Sequence, residues 1–400
     1  MKQESDQQSA QEAENLVGIA KLEPLTDGGI RTSEVLSQAL SLVPQHHDAQ
    51  ILQERLHQMF VPRWHFPMLA DTARNSAYAK AIEAKVQHGD IVLDIGCGAG
   101  LTAMLAAQAG AKHVYTCEQQ PLIAQAAIQV IEDNGLSDRI TVIPKSSHNL
   151  VVGVDIPEPA DVVISEIVDT VLLGEGALAT LTHAMFMLAK PQARTVPEHG
   201  TLKAQLVESE KLLDLWRPGE AEGFDLRAFH RFSKIAQITP NDFAALGLNP
   251  LGPASELFQF DFAKPNVKPA RATEDLFCSV AGTAHAVFVS FEMQLASDVL
   301  LTNGLHSDGH WGRTAFLLDR PKSVTLQNRL RITAQHDSSQ LSLSVDETTS
   351  RTADAVKATG WLKRALDLSP DALDSHNLTS TDNAKRSQSK TNAGLQNRAS

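Results

Sequence analysis

The segment LDIGCGAG, Leu93 to Gly100, closes one apolar run and opens another. Ahead of it stands IVLDI, residues 91–95, short and β-branched, which reads as a buried strand. Behind it LTAMLAAQAG, residues 101–110, reads as a helix ended by Gly110. Gly96, Gly98 and Gly100 let the chain turn tightly and approach a ligand closely. The helix that follows offers unpaired N–H donors at its first turn. The alternation continues outward. HVYTCE (113–118), RITVI (139–143) and DVVIS (161–165) are strand-like. PLIAQAAIQVIEDNG (121–135) and GALATLTHAMFMLAK (176–190) are helical, the first with Pro121 near its first turn and Gly135 past its end. Strands and helices at this spacing predict an α/β fold with a parallel, doubly wound sheet.

After Pro197 the texture changes. GTLKAQLVES, HAVFVSFEMQL, TAFLLD, VTLQNRLRITAQ and SQLSLSV are strand-like without intervening helices, which predicts an antiparallel β domain. Residues 212–256, rich in Pro, Gly, Leu and Phe, form a long excursion from it, and such excursions are usually functional. At the other end the first 30 or so residues are polar and Gln/Glu-rich and are expected to be disordered. SEVLSQALSLV and DAQILQERLHQMF read as two helices broken around Pro44, His46 and His47, faintly similar to a tetratricopeptide half-repeat. The expected divisions are an extension at 1–48, a sheet domain at 49–193, a β domain at 194–365 and a disordered tail at 366–400.

The chain has 400 residues and a formal charge of −12, which argues against a generic binder of nucleic acid or anionic membrane and permits a cationic substrate. Cys97, Cys117 and Cys278 are odd in number and far apart, so a cytoplasmic protein without a disulfide framework is expected. No CxxC occurs, and no cysteine-based metal site is expected. The segment MKQESDQQSAQEAENL lacks the apolar core of a signal peptide, and no apolar run reaches the ~18 residues of a membrane span.

Asp94, two residues ahead of Gly96, gives the glycine segment the form acid-x-G-x-G-x-G. Leu101 stands where a dinucleotide fingerprint places its third glycine, which disfavours a nicotinamide dehydrogenase. This form resembles motif I of S-adenosylmethionine-dependent methyltransferases. Glu118, at the end of the second strand, holds the position that faces a nucleoside ribose in such sheets. After the fourth strand comes SEIVDTVLLGEGAL, with Glu166 and Glu175 nine residues apart. No (N/D)-P-P-(Y/F) motif of DNA adenine methylation stands there. The two glutamates resemble the paired-glutamate loop of protein arginine methyltransferases, and Asp169 to Leu178 is most similar to the monomethylating branch.

Two further segments carry the resemblance. Met68 to Arg74, MLADTAR, is similar to the family's M-L-x-D-x-x-R helix, and His310-Trp311 resembles its T-H-W loop with Gly309 in place of the threonine. The resemblance spans about residues 60–345. It implies a Rossmann-like domain, a β-barrel carrying a helical dimerisation arm near 212–256, and S-adenosylmethionine as cofactor with S-adenosylhomocysteine as product. His65, Arg74, Asp94, Gly96, Gly98, Gly100, Glu118 and Ser147 would hold the cofactor. Arg74 would pair with its carboxylate, and Ser147 lies in PKSSHNL, where many members carry an acid instead. Glu166 and Glu175 would clamp a guanidinium, Trp311 would contact the substrate, and Asp71 with His310 would take the proton. Animal monomethylating members carry two tandem modules and this chain one, so a homodimer is implied.

The expected reaction is monomethylation of arginine in proteins or peptides. The same parts would serve free arginine or another small guanidino metabolite. A cofactor-binding interaction protein without catalysis is the reading from another class, suggested by Gly309 and the Ser/His segment.

Overall fold

The computed structural model describes residues 2–346. The expected tail at 366–400, and the end of the expected β domain beyond 346, lie outside the described residues.

The N-terminal part holds three helices, α1 (Lys2–Leu22), α2 (Ile30–Leu42) and α3 (His47–Phe60). The expectation of disorder over the first 30 residues is therefore corrected. Ala13, Val17 and Ala20 form a stripe of small apolar side chains at helical spacing, and they are buried against Leu36, Ala39 and Ala49. Small residues carry little hydropathy signal, yet they let two helices approach closely. Between α1 and α2 the chain turns through Gly28 and Gly29, both at positive φ. The side chain of Asp27 accepts hydrogen bonds from the N–H groups of Gly29 and Arg31, which fixes the turn.

The helices α4 (His65–Ala70) and α5 (Thr72–Lys85) lead into the sheet domain. Its strands are β1 (Ile91–Ile95), β2 (His113–Cys117), β3 (Ile140–Ile143), β4 (Ala160–Ser165) and β5 (Ala189–Val196), parallel and ordered β3-β2-β1-β4-β5. The helices α6 (Leu101–Gln108), α7 (Pro121–Asp133) and α8 (Ala177–His183) connect them. All five residues of β1 are buried, as a central strand covered on both faces requires. Ala103, Ala106 and Ala107 of α6 bury their small side chains against this sheet. The strand order reverses between β1 and β4, and doubly wound sheets bind ligands at the carboxyl ends of the strands flanking that reversal. The expected helix 176–190 is shorter than its sequence suggests. It passes through a π turn, Ala184–Leu188, and gives way to strand at Ala189.

The β domain starts with β6 (His199–Glu208), whose burial alternates along its length. Next, α9 (Glu210–Trp216), a hairpin of β7 (Glu220–Ala221) and β8 (Phe224–Asp225), β9 (Ile235–Ile238) and α10 (Pro240–Leu246) make up most of the excursion at 212–256. It carries helices as expected, and β9 also adds an edge strand to the main sheet. There follow β10 (Asn249–Pro250), β11 (Ser255–Asp261), β12 (Ala270–Phe277), β13 (Gly282–Ala296), β14 (Val299–Thr302), β15 (Arg313–Val324), β16 (Arg329–His336) and β17 (Leu341–Val345). The main sheet runs β10-β6-β13-β15-β9, with β11 on β6 and β14 on β13, and β12-β16-β17 form a second sheet. VTLQNRLRITAQ is two strands rather than one. Asn328 accepts hydrogen bonds from the N–H and hydroxyl of Thr325, closing a turn in which Gln327 takes positive φ. One apolar cluster runs from Val92 and Val163 of the parallel sheet to Phe291, Ile332 and Leu343 of the β domain. Helix α5 packs against β5, β13 and β14, so it spans the junction. No described helix is long and apolar enough to cross a membrane.

Gly28 meets the start of α7: a Cβ there would lie 2.7 Å from Cδ of Pro121, at a φ of +73°. Gly28→Val is expected to cost about 1–3 kcal/mol through backbone strain and overlap. That should lower the thermal midpoint by about 2–8 °C in a scanning denaturation experiment. An unchanged midpoint would show that the N-terminal helices do not rest on α7.

Candidate active site

The loop after β1 faces a cavity of about 490 Å³ lined by, among others, Gly96, Gly98, Glu118, Arg74, Glu166 and Glu175. Gly96 and Gly98 both take positive φ. A Cβ on Gly96 would strike the Ile167 methyl at 2.7 Å, whereas one on Gly98 would point into open cavity, with only the His65 ring 4.0 Å away. Gly100 lies outside the cavity and packs on Ile131 of α7. Glu118 at the end of β2 accepts hydrogen bonds from the N–H of Gly98 (3.2 Å) and of Gln120 (2.9 Å), so its carboxylate is fixed at the mouth. Asp94 is buried and does not line the cavity. It accepts a 2.6 Å hydrogen bond from the Thr116 hydroxyl, and burial pushes its pKa up to about 6 against that bond. It supports the loop from beneath.

Helix α5 brings the next groups. Its N-cap is Asp71, whose Oδ1 accepts from the N–H of Arg74 at 2.9 Å. The other oxygen accepts from the N–H of His310 (2.9 Å) and lies 3.0 Å from His310 Nδ1. Burial pushes the His310 pKa down, opposed by Asp71. Burial would raise the Asp71 pKa, but the hydrogen bonds from Arg74 and His310 hold it below the ordinary value. Arg74 extends over the Tyr78 ring, 5.0 Å from its centroid. One guanidinium nitrogen donates to Asn75 (2.8 Å) and another to Glu166 Oε2 (2.5 Å). Both ends of that ion pair are buried.

Burial raises the Glu166 pKa to about 7. Arg74 counters the shift, while Glu175 and Asp71 add to it by like-charge repulsion. Glu175 sits at φ +57°, in a loop stapled by Asp169, which accepts from the N–H groups of Val171 and Leu173. A Cβ at Gly174 would collide with the Asp169 side chain, so the tight loop needs glycine there. The Glu175 pKa is raised by burial, then by Asp169 and Glu118.

The structure thus brings His65, Arg74, Gly96, Gly98, Glu118, Ser147, Glu166 and Glu175 to one cavity. His65 stacks on Trp64, and Ser147 is buried in a short 3-10 turn. Asp71, His310 and Trp311 are not among the residues lining the cavity; the buried Trp311 ring lies 4.1 Å from the His310 ring and packs edge-on to Phe291 at 5.3 Å. Sequence reading missed Phe60, Gln120 and Thr180, which also line the cavity, and Tyr78, whose hydroxyl donates to the Ser165 carbonyl. Tyr78 could have been found, since it lies four residues after Arg74 on the same helix face.

The cavity fits S-adenosylmethionine. Arg74 Nε is buried with no hydrogen-bond partner and belongs to a cavity-lining guanidinium, suited to a carboxylate. Glu118 is an anchored acceptor for ribose hydroxyls, and Gly98 leaves the space a side chain would fill.

Comparison with known proteins bears on the same residues. The family model described as ribosomal protein L11 methyltransferase (PrmA) matches residues 76–200. The arginine N(omega)-methyltransferase of Streptomyces achromogenes subsp. streptozoticus is 37% identical over 317 residues, covering 77% of this chain and 86% of that protein. The chain belongs to the arginine N-methyltransferase family. It is also 30% identical to protein arginine N-methyltransferase 7 of Danio rerio over 319 residues, 70% of this chain but 45% of that protein. Among solved structures, the Trypanosoma brucei PRMT1 enzyme-prozyme heterotetrameric complex with AdoHcy superposes with a TM-score of 0.62 at 23% identity, covering 72% of this chain and 94% of that one. A crystal structure of PRMT6 gives 0.56 at 21% identity, covering 70% and 99%. Both share the two-domain fold. Members of the family are methyltransferases that use S-adenosylmethionine, in keeping with the cavity.

Glu175→Gln is expected to lower kcat/KM by about 10²-fold or more, because a charge-assisted clamp is lost. S-adenosylhomocysteine affinity by calorimetry should stay within about threefold of wild type, the outcome expected of a residue that meets the acceptor. A pH profile tests Glu166. Its carboxylate must be ionised to meet a cation, so kcat/KM should fall as pH drops through about 7. Stability linkage has the opposite sign: an acid raised in the fold contributes most below its ordinary value of 4.5 and loses that contribution as pH rises through about 7.

Proposed function

We propose that the protein transfers one methyl group to an ω-nitrogen of an arginine side chain in a protein or peptide. The observation that carries this reading is the pair Glu166 and Glu175, both facing the cavity that Arg74 and Glu118 also line. A guanidinium is planar and presents five N–H donors, so two carboxylates can grip it by charge-assisted forks. The grip is unequal here, since Arg74 already occupies Glu166 Oε2. Unequal binding draws the positive charge toward the clamped side and leaves the far nitrogen more electron-rich. Glu166 is buried, which removes competing water on its side and strengthens the grip there, while Glu175 stands exposed at the mouth.

S-adenosylmethionine supplies an electrophilic methyl carbon on a sulfonium, leaving as S-adenosylhomocysteine. Arg74 and Glu118 orient it, and the clamp holds the acceptor nitrogen in line. A carbon–sulfur bond breaks, a carbon–nitrogen bond forms, and the nitrogen sheds a proton. His310 is the acceptor we assign to that proton. Burial favours its neutral form, and Asp71 stabilises the cation it becomes.

Free arginine is the second reading. It is favoured by the Streptomyces relative, whose name specifies arginine without specifying protein. Incubation with labelled S-adenosylmethionine, Arg/Gly-rich peptides and free L-arginine separates the two. Monomethylarginine in peptides is the expected product by mass spectrometry. Label only in free arginine selects the second reading, and label in neither overturns both. Accumulation of dimethylarginine by successive turnover would overturn monomethylation.

We further assign a homodimer joined through the segment 212–256. Leu215, Phe224, Phe229 and Phe232 there are 60–73% exposed, an apolar load that water disfavours. Sedimentation is expected to give twice the chain mass, and Phe229→Asp with Phe232→Asp should give a monomer of reduced activity. A fully active wild-type monomer would remove the assignment. The three cysteines are buried free thiols, which supports a cytoplasmic protein.

A further inference from the structure

Arg313 opens β15 and is 2% exposed, yet among the described residues no carboxylate lies within ion-pair distance of it. Asp308, beyond ion-pair distance in the same loop, is the acid that favours its charge, and burying a guanidinium without a direct ion pair is costly, so its other contacts matter. One terminal nitrogen donates to the carbonyls of Trp311 and Gly312, and the other to the carbonyl (2.6 Å) and hydroxyl (2.9 Å) of Ser307. All these acceptors belong to the loop 303–312. The flat face lies 4.9 Å from the centroid of Phe243 on α10, inside the arm. Arg313 also pairs in register with Ile238 of β9, another arm residue.

The same loop is tied at two other points. His310 binds Asp71 through its backbone and its ring. Asn303 is fully buried, accepts from the N–H of Phe291 and donates to the carbonyl of Thr170 in the paired-glutamate loop. The loop carrying the proton acceptor is therefore strung between the active site and the arm, and Arg313 makes the arm-side knot.

We propose that Arg313 is a positioning residue that clamps loop 303–312 to the arm helix α10, so that arm and His310–Asp71 pair are held as one piece. This rests on the reading of His310 as proton acceptor. A lysine could keep the charge but could not fork to two carbonyl groups and a hydroxyl while lying flat on Phe243.

The test uses full-length Arg313→Gln, Arg313→Lys and Phe243→Leu, with His310→Gln as reference. The expected result is S-adenosylhomocysteine affinity within about threefold of wild type and kcat reduced about tenfold or more for both Arg313 variants. Phe243→Leu should show a smaller loss of the same kind. The pH profile supplies a readout that a general loss of packing would not move. The charges facing His310 are Asp71, which raises its pKa, and Arg74 and Arg313, which lower it. Arg313→Gln should therefore move the acid limb of kcat to higher pH, and Arg313→Lys should move it less. Wild-type kcat and profile in folded Arg313→Gln would overturn the inference. Should Arg313→Gln fail to fold, unchanged kcat in Phe243→Leu would overturn it instead. If His310→Gln keeps full kcat, the proton-acceptor reading itself fails. Loss in His310→Gln with none in the Arg313 variants sinks only the clamp.

Discussion

One carboxylate, Asp71, receives hydrogen bonds from Arg74 on its own helix and from His310, 239 residues further along the chain. Through Oδ1 it caps α5, satisfying an N–H that would otherwise be orphaned at the helix start, an interaction worth about 1 kcal/mol. Through Oδ2 it receives the backbone and ring of His310. The capping role fixes where the carboxylate stands, and the helix it caps places Arg74 at its first turn. The histidine contact then brings the β domain to that same point. Shift Asp71 and the helix start, Arg74 and His310 all move. The position therefore tolerates neither a neutral isostere nor a longer acid without cost to the site.

The Arg74–Glu166 pair obeys a different logic. Both ends are buried, and the attraction inside a protein repays the loss of hydration only when geometry is good and remaining donors are satisfied. Here they are not all satisfied: Arg74 Nε has no partner and Glu166 is shifted toward its neutral form. The incompleteness makes sense if Nε waits for an anionic group and Glu166 for a cationic one. Packing elsewhere, in the cluster from Val92 to Leu343, supplies the stability that this arrangement forgoes.

The glycine segment was legible because conformational need is written directly in it: only glycine meets Ile167 at Gly96 without collision and leaves the cavity open at Gly98. The strands β1 to β4 were legible because buried parallel strands read as unbroken apolar runs. Helix α1 was not, since Ala13 and Ala20 supply much of its packing face and its first turns are polar. The surroundings of Trp311 were not legible either: its ring packs beside Phe291 and His310, contacts that join distant parts of the chain. Arg313 was invisible for a similar reason. Nothing in a sequence distinguishes an arginine on the surface from one whose donors fold back onto its own loop.

Charge in the cavity closes the argument. Glu118, Glu166 and Glu175 face Arg74 and Lys145 there, a surplus of acid the overall charge of −12 does not by itself explain. Repulsion from Glu175 helps hold Glu166 near neutrality in the empty site. A cation entering between the two glutamates reverses that balance and draws off the Glu166 proton, so the clamp tightens as its guest arrives. Binding a guanidinium thereby costs the protein a proton near pH 7, the working range, instead of near 4.5 where an exposed glutamate would already be ionised. A neutral guest gains nothing from this exchange. Under the proposed reading, the raised pKa of Glu166 spares the fold one ionised buried carboxylate until a cation is present to meet it.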